Sequence, residues 1–257
     1  MPRLTIPTCM DLVCMYDRYD IYTVNPATRQ QITLPKSSSA YTNCFHQNVA
    51  FGYVASTSEY KVFRVIWFTK FYYACEVFTL GASNSWSPVE THDALDLLDD
   101  ITMVDGFVYV MSQPLTESYY HIFQFDLEKE EWSKLQLPEA NELLPDEEVP
   151  LFSVKQVVGV LCLTCLFFDK RFEIWLLKDY CKDGEHYSWV KEYSIDISTL
   201  WHLNDIYPLA IEDDGRVVLW SYDFLYYDPK SKSFEEIVGE KVIIGSFYVE
   251  SFMSLSM

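Results

Sequence analysis

The stretch Asp105-Gly106-Phe107-Val108-Tyr109-Val110, then His121-Ile122-Phe123-Gln124-Phe125-Asp126-Leu127, then Trp132-Ser133-Lys134-Leu135, decides the fold. It reads as a tight turn, an apolar strand, an alternating strand, a polar turn, and a last strand opened by tryptophan. Asp-Gly between apolar runs is a strong hairpin signal, because both central residues of the favoured turn need positive φ. Period-two alternation marks strands with one face packed and the other wetter. Ile101-Thr102-Met103-Val104 lies just upstream of the turn. The unit is therefore four antiparallel strands within residues 98–138.

Working outward, the same order returns. Tyr19 to Asn25 runs on to Gln30-Gln31-Ile32-Thr33-Leu34. Cys75 to Leu80 runs on to Trp86-Ser87-Pro88-Val89, Phe172 to Leu177 to Trp189-Val190, and Phe224 to Asp228 to Phe234-Glu235. The four aromatic openers, Trp86, Trp132, Trp189 and Phe234, stand 46, 57 and 45 residues apart. Val158-Gly159 and Asp214-Gly215 take the place of Asp105-Gly106 in later units, and Ser58-Glu59 is expected to do so in the second. Self-similarity at this period is the signature of a β-propeller, whose radial repetition leaves only short edges. A β-sandwich would explain the strands but not the repeated register. The prediction is an all-β, kelch-like β-propeller with five recognisable four-stranded units and an incomplete sixth blade. The units fall near 3–37, 46–90, 98–138, 150–197 and 204–238, and 241–255 supplies closing strands. With no linker in between, 1–257 reads as a single domain.

Composition narrows the function. Aromatics make up 17% of the chain, with 19 Tyr, 17 Phe and 7 Trp, which suits half-buried pleated surfaces. Nineteen Lys and Arg against 38 Asp and Glu give a net charge of −19. Such a surface repels phosphate backbones and anionic lipid, so neither nucleic acid nor membrane is an expected partner. Seven cysteines in no framework spacing, and no apolar leader at Met1–Pro7, point to a reducing, intracellular setting, cytoplasmic or nuclear.

Cys162 and Cys165 lack a second ligand pair, and in a strand they point to opposite faces. His46, His92, His121, His186 and His202 are scattered over different units, with no nucleophile elbow, phosphate loop or zinc-helix motif. The carboxylates at 93–100 and 139–148 read as solvated loops. No catalytic residue, metal site or cofactor is expected, and the chain reads as a binding module and not an enzyme.

Several stretches then resemble the F-box-associated domain of plant F-box proteins. They are Asp11-Leu12-Val13-Cys14-Met15-Tyr16, Val24-Asn25-Pro26-Ala27-Thr28-Arg29, Phe51-Gly52-Tyr53 with Glu59-Tyr60-Lys61-Val62, and Tyr226-Tyr227-Asp228-Pro229-Lys230. The resemblance covers nearly the whole chain. It implies a domain that holds a target protein for ubiquitylation, while an N-terminal F-box docks on a Skp-type adaptor of a cullin–RING ligase. Nothing ahead of Leu4 could form the F-box helices, so adaptor binding is in question for this chain. The alternatives are a stand-alone interaction domain or truncated paralogue without a ligase, and an enzyme or small-molecule binder on a propeller scaffold. Where the family carries a turn glycine, this chain has Met10-Asp11, so that first turn is expected to be strained or reshaped.

One surface is singled out. Loops joining the second and third strands of a blade share a face with the connections between blades. Here they carry Arg18, Lys70-Phe71-Tyr72 and Lys170-Arg171, cations and aromatics of the kind that anchor protein interfaces. These six residues are the candidate partner-binding set, for a target protein the sequence does not name.

Overall fold

A computed structural model describes residues 8–9, 11–17, 20–36, 46–69, 72–91, 97–112, 120–138, 150–178, 188–200, 206–221 and 223–237. All regular structure among them is β. The chain divides into two compact units, the first made of Met1–Tyr119, Phe123–Ser133 and Ile244–Met257, the second of Tyr120–Ile122 and Lys134–Ile243. The expected closing strands at 241–255 lie outside the described residues.

The first unit holds β1 (Thr8–Cys9), β2 (Leu12–Tyr16), β3 (Ile21–Asn25) and β4 (Gln30–Thr33) as one sheet. A second sheet is formed by β5 (His46–Val54), β6 (Glu59–Thr69), β7 (Tyr72–Thr79) and β8 (Ser87–Val89). Most of β9 (Leu97–Val104), β10 (Phe107–Ser112), β11 (His121–Asp126) and β12 (Glu131–Leu135) also belongs to this unit, as the third sheet. The second unit holds β13 (Leu151–Val157), β14 (Val160–Leu166), β15 (Arg171–Lys178) and β16 (Ser188–Asp196), then β17 (Tyr207–Ile211), β18 (Val217–Ser221), β19 (Asp223–Asp228) and β20 (Ser233–Glu236). In all five sheets the strands lie side by side in chain order, as in the blades of a β-propeller.

Turn chemistry sets the registers. Asp105 and Gly106 take φ of 49° and 82°, Val158 and Gly159 take 52° and 76°, and both pairs make two-residue turns with positive φ throughout. The other two expected turns differ. Val54 pairs with Glu59, so the loop is the four residues 55–58 with only Ser58 at positive φ, and Glu59 already belongs to the strand. Ile211 pairs with Val217, and the wider loop closes through Glu212 N–H to the Arg216 carbonyl at 2.8 Å, leaving Gly215 alone at positive φ. The first turn includes Met10, which lies outside the described residues; beside it the Asp11 side chain is buried and its carboxylate accepts the Tyr60 hydroxyl at 2.6 Å. Burial and that carboxylate both hold the Tyr60 phenol above its ordinary range.

Third-to-fourth strand turns of the first, third and fifth sheets follow a different rule. Asn25 Oδ1 accepts the N–H of Ala27 and Thr28, Asp126 Oδ1 those of Glu128 and Lys129, and Asp228 Oδ1 that of Lys230. Each turn ends on a residue at positive φ, Arg29, Glu130 or Lys232. The short polar side chain thus imitates a backbone turn and fixes where the last strand begins.

The aromatic openers have a definite task. Trp86 Nε1 donates to the Pro35 carbonyl at 2.6 Å, Trp132 Nε1 to Glu90 at 3.0 Å, and Trp189 Nε1 to Gln136 at 2.8 Å. In every case the acceptor lies just past the outer strand of the preceding sheet. Phe234, the fifth sheet's opener, has no N–H to donate and packs on Tyr227 instead.

Strands packed on both faces make the cores. From Tyr60 to Trp67 every residue of β6 is buried. Val62 faces a cluster with Leu12, Cys14, Ile21 and Phe78, while Phe63 faces one with Val108, Val110 and Phe125. The second unit has its own core around Cys162, Ile174, Ile195, Val217 and Leu219. Burial raises the thiols of Cys14, Cys75 and Cys162, which act as small apolar groups. Gly52 fits this packing because a Cβ there would sit 2.7 Å from the Met103 sulfur. Gly52→Ala is expected to lower stability by about 1–3 kcal/mol, as overpacking does. Denaturant curves should show a smaller loss in the Gly52→Ala/Met103→Ala pair than the two single changes add up to.

Val158 is the reverse case. It is 67% exposed, so its side chain packs on little, yet a β-branched residue at φ 52° is disfavoured. Val158→Asn should stabilise the chain by about 1 kcal/mol by relieving that conformation. An unchanged or lower urea midpoint would show that the turn carries no such strain.

Candidate partner-binding loops

The six residues singled out from sequence divide. Arg18, Lys70 and Phe71 lie outside the described residues. Tyr72 opens β7 in the first unit, is 64% exposed, and lays its ring 5.2 Å from that of Phe68 at the end of β6. Lys170 and Arg171 stand together in the second unit, at the join between β14 and β15.

That join is built to be rigid. Phe167 N–H donates to the Arg171 carbonyl at 2.9 Å, Lys170 N–H to the Phe167 carbonyl at 3.0 Å, and Arg171 N–H to Asp169 Oδ1 at 3.1 Å. Lys170 adopts φ 67°, and its carbonyl accepts Ile197 N–H at 2.9 Å, which pins the tip to the chain leaving β16. Beneath the tip sits Glu173, 1% exposed. Its Oε1 accepts Arg171 Nη1 at 2.9 Å and lies 3.3 Å from Lys191 Nζ, while its Oε2 accepts Trp175 Nε1 at 3.1 Å. Arg171 also lies 3.9 Å over the Phe167 ring and 3.5 Å from Asp169. Cys165 pairs with Glu173 across the strands, and burial first, then that carboxylate, raises its thiol well above the usual range.

This arrangement separates the two cations that the sequence grouped. Arg171 is turned inward, its charge balanced by Glu173 and Asp169, so it works as a strut. Lys170 is exposed. Nearby Asp196 is held below its ordinary pKa chiefly by hydrogen bonds from the Ser198 hydroxyl and N–H, with a smaller contribution from the Lys170 charge. The residue missed from sequence is Phe168, 68% exposed at the tip. A signal existed: an aromatic inside the polar turn Phe168-Asp169-Lys170 has no strand face to pack on. Leu151, 48% exposed, pairs with Leu166 at the same end of the sheet. Next to it Phe152 meets Tyr120 edge-on at 4.9 Å. Leu151 and Phe168 are thus the exposed apolar side chains at this end of the sheet among the described residues.

Comparison with known proteins agrees with the architecture. The model of the family described as F-box associated beta propeller domain matches residues 4–247. Among curated proteins, the Arabidopsis thaliana F-box protein At2g21930 is 26% identical over 235 residues, 83% of this chain and 55% of its own length. The Arabidopsis thaliana F-box protein At3g07870 is 26% identical over 288 residues, 93% of this chain and 66% of its own. The chain spans about half the length of the first of these relatives. Among solved structures, the SapL1 lectin in complex with alpha methyl fucoside superposes with a TM-score of 0.50 at 11% identity, covering 91% of this chain and 79% of the lectin. That likeness concerns fold alone. With nearly its whole length matched, this chain belongs to the F-box associated beta propeller domain family.

Proposed function

We propose that this domain holds a target protein by its strand-end loops, and that in an F-box protein it presents that target for ubiquitylation through a Skp-type adaptor and a cullin–RING ligase. The observation that carries the reading is the family match over residues 4–247, joined to relatives that are named F-box proteins. The rigid β14–β15 tip supports it, because a pre-ordered loop loses little freedom when a partner docks. So does the net charge of −19, which favours a protein partner over nucleic acid or anionic lipid. The setting proposed is intracellular.

Quantitative proteomics in plant cells tests this. A protein that co-purifies with the chain should accumulate when the gene is silenced and decline when it is overexpressed, with the decline blocked by proteasome inhibition. A co-purifying protein whose level never responds would point to a stand-alone interaction domain. In that case the ligase reading fails while partner binding stands.

A further inference from the structure

The core between the second and third sheets gathers Ala50, Phe63, Val65, Met103, Val108 and Val110 into one apolar cluster. At one end it turns polar. Trp67, near the end of β6, belongs to this cluster and is 5% exposed, yet its Nε1 makes no hydrogen bond among the described residues. Ser112, the last residue of β10, is fully buried, and its hydroxyl also makes none among them. Two close approaches align the sheets. A Cβ on Gly52 would meet the Met103 side chain, and one on Gly106 would meet Val54, so β5 and β9 run level and in the same direction. The registers carry that level outward. Ala50 pairs with Phe63 and Ile101 with Val110, and Trp67 and Ser112 follow four and two residues on, towards the same end. Val108, Val110 and Ser112 alternate onto one face of β10, the face turned to the second sheet. His46, opposite Trp67, stacks on the indole at 5.6 Å and 8°, and the Tyr73 ring lies 5.1 Å from it.

We propose that Trp67 Nε1 and Ser112 Oγ share one internal water molecule, held between the second and third sheets. Two polar groups left unmet in an apolar surround are costly, and native interiors pair nearly all of theirs. The indole only donates, whereas the hydroxyl both donates and accepts, so the occupant must accept a hydrogen bond from the indole. That requirement turns away a cation. A net charge of −19 acts against an anion. Both atoms are shut off from solvent, so the occupant is also small, and water meets all three conditions. The place has a consequence for the surface above it. Trp67 pairs with Tyr73 and Thr69 with Tyr72, so the water ties the third sheet to the base of the turn that presents the exposed Tyr72 ring.

A high-resolution crystal structure of the intact chain tests this directly. One ordered water should lie within hydrogen-bond reach, about 2.7–3.2 Å, of both atoms. A direct bond from the indole to the hydroxyl, or no density between them, would overturn the inference. So would a peak that bromide replaces on soaking, since the occupant would then be an anion. Urea unfolding of Trp67→Phe, Ser112→Ala and the double variant gives the reading in solution. Groups that share a water are coupled, so the midpoint shift of the double variant should fall short of the sum of the single shifts. Additive shifts would show that the two groups are satisfied separately, and the shared site would fall. The crystal reading needs no variant and decides the matter even if Trp67→Phe does not fold.

Discussion

Glu76→Ala should destabilise the domain by about 3–5 kcal/mol, the cost of leaving a buried charge without its partner. Glu76 and Arg64 are 3% and 4% exposed, on neighbouring strands β7 and β6. Arg64 Nε donates to Glu76 Oε2 at 2.9 Å, and its Nη2 donates to the same oxygen. The guanidinium also stacks 3.7 Å over the Trp86 ring. Gln47, whose Oε1 lies 3.5 Å from Arg64 Nη1, passes the order on by donating Nε2 to the Asp17 carbonyl at 2.8 Å. Remove the carboxylate and the guanidinium cannot shed its proton, so a cation remains in a low-dielectric interior. Glu76→Gln keeps the shape and should still cost most of the effect, which separates charge from volume.

The double replacement Arg64→Met/Glu76→Leu should recover much of the loss, since paired apolar groups need no solvation. Glu173→Ala makes a useful contrast. Glu173 is as deeply buried, but its cations Arg171 and Lys191 keep 32% and 36% side-chain exposure and can turn to water. A smaller loss is expected there, about 1–3 kcal/mol. Equal losses at the two sites, read from urea midpoints with unchanged slope, would sink the argument that access to solvent decides the cost.

Most of the fold could be read from sequence because turn chemistry is local. Asp105-Gly106 and Val158-Gly159 announce their hairpins in two residues. Asn25-Pro26 and Asp228-Pro229 each carry the side-chain oxygen that caps their turn. Longer turns were less legible. Nothing within Ser58-Glu59 shows that the pairing closes at Val54 with Glu59, because that register is set by the packing of β5 against β6. Buried charge was hidden for a different reason. Alternation assigns a face only when one side of the sheet is wet, and β6 is dry on both sides, so the burial of Arg64 is not legible in the pattern. The site was legible to the level of the loop and no further. The β14–β15 turn was chosen for its cations, but which cation faces out depends on Glu173, and that carboxylate reaches Arg171 only once β15 is formed. Phe168 stands out once the turn's bounds are known.

Phe63→Ala should cost about 3–5 kcal/mol, the range for emptying a fully enclosed aromatic site. The Phe63 side chain is 0% exposed, and its ring joins the second sheet to the third within the first unit. Phe125 lies 5.5 Å away at 46°, Trp132 meets it edge-on at 6.0 Å, and Phe125 and Trp132 are themselves 4.9 Å apart. These three rings sit where the Trp132 indole also reaches the Glu90 carbonyl, so the cavity would open beside a hydrogen bond that ties the two sheets. Phe63→Leu keeps most of the volume and should cost less than about 1.5 kcal/mol. The aromatic contribution is separable from volume by a double-mutant cycle with Phe125→Leu, for which a coupling of about 0.5–1.5 kcal/mol is expected from tilted rings. Zero coupling would mean that the rings act as filler. A Phe63→Leu loss as large as that of Phe63→Ala would mean that ring geometry, more than volume, holds the second and third sheets together.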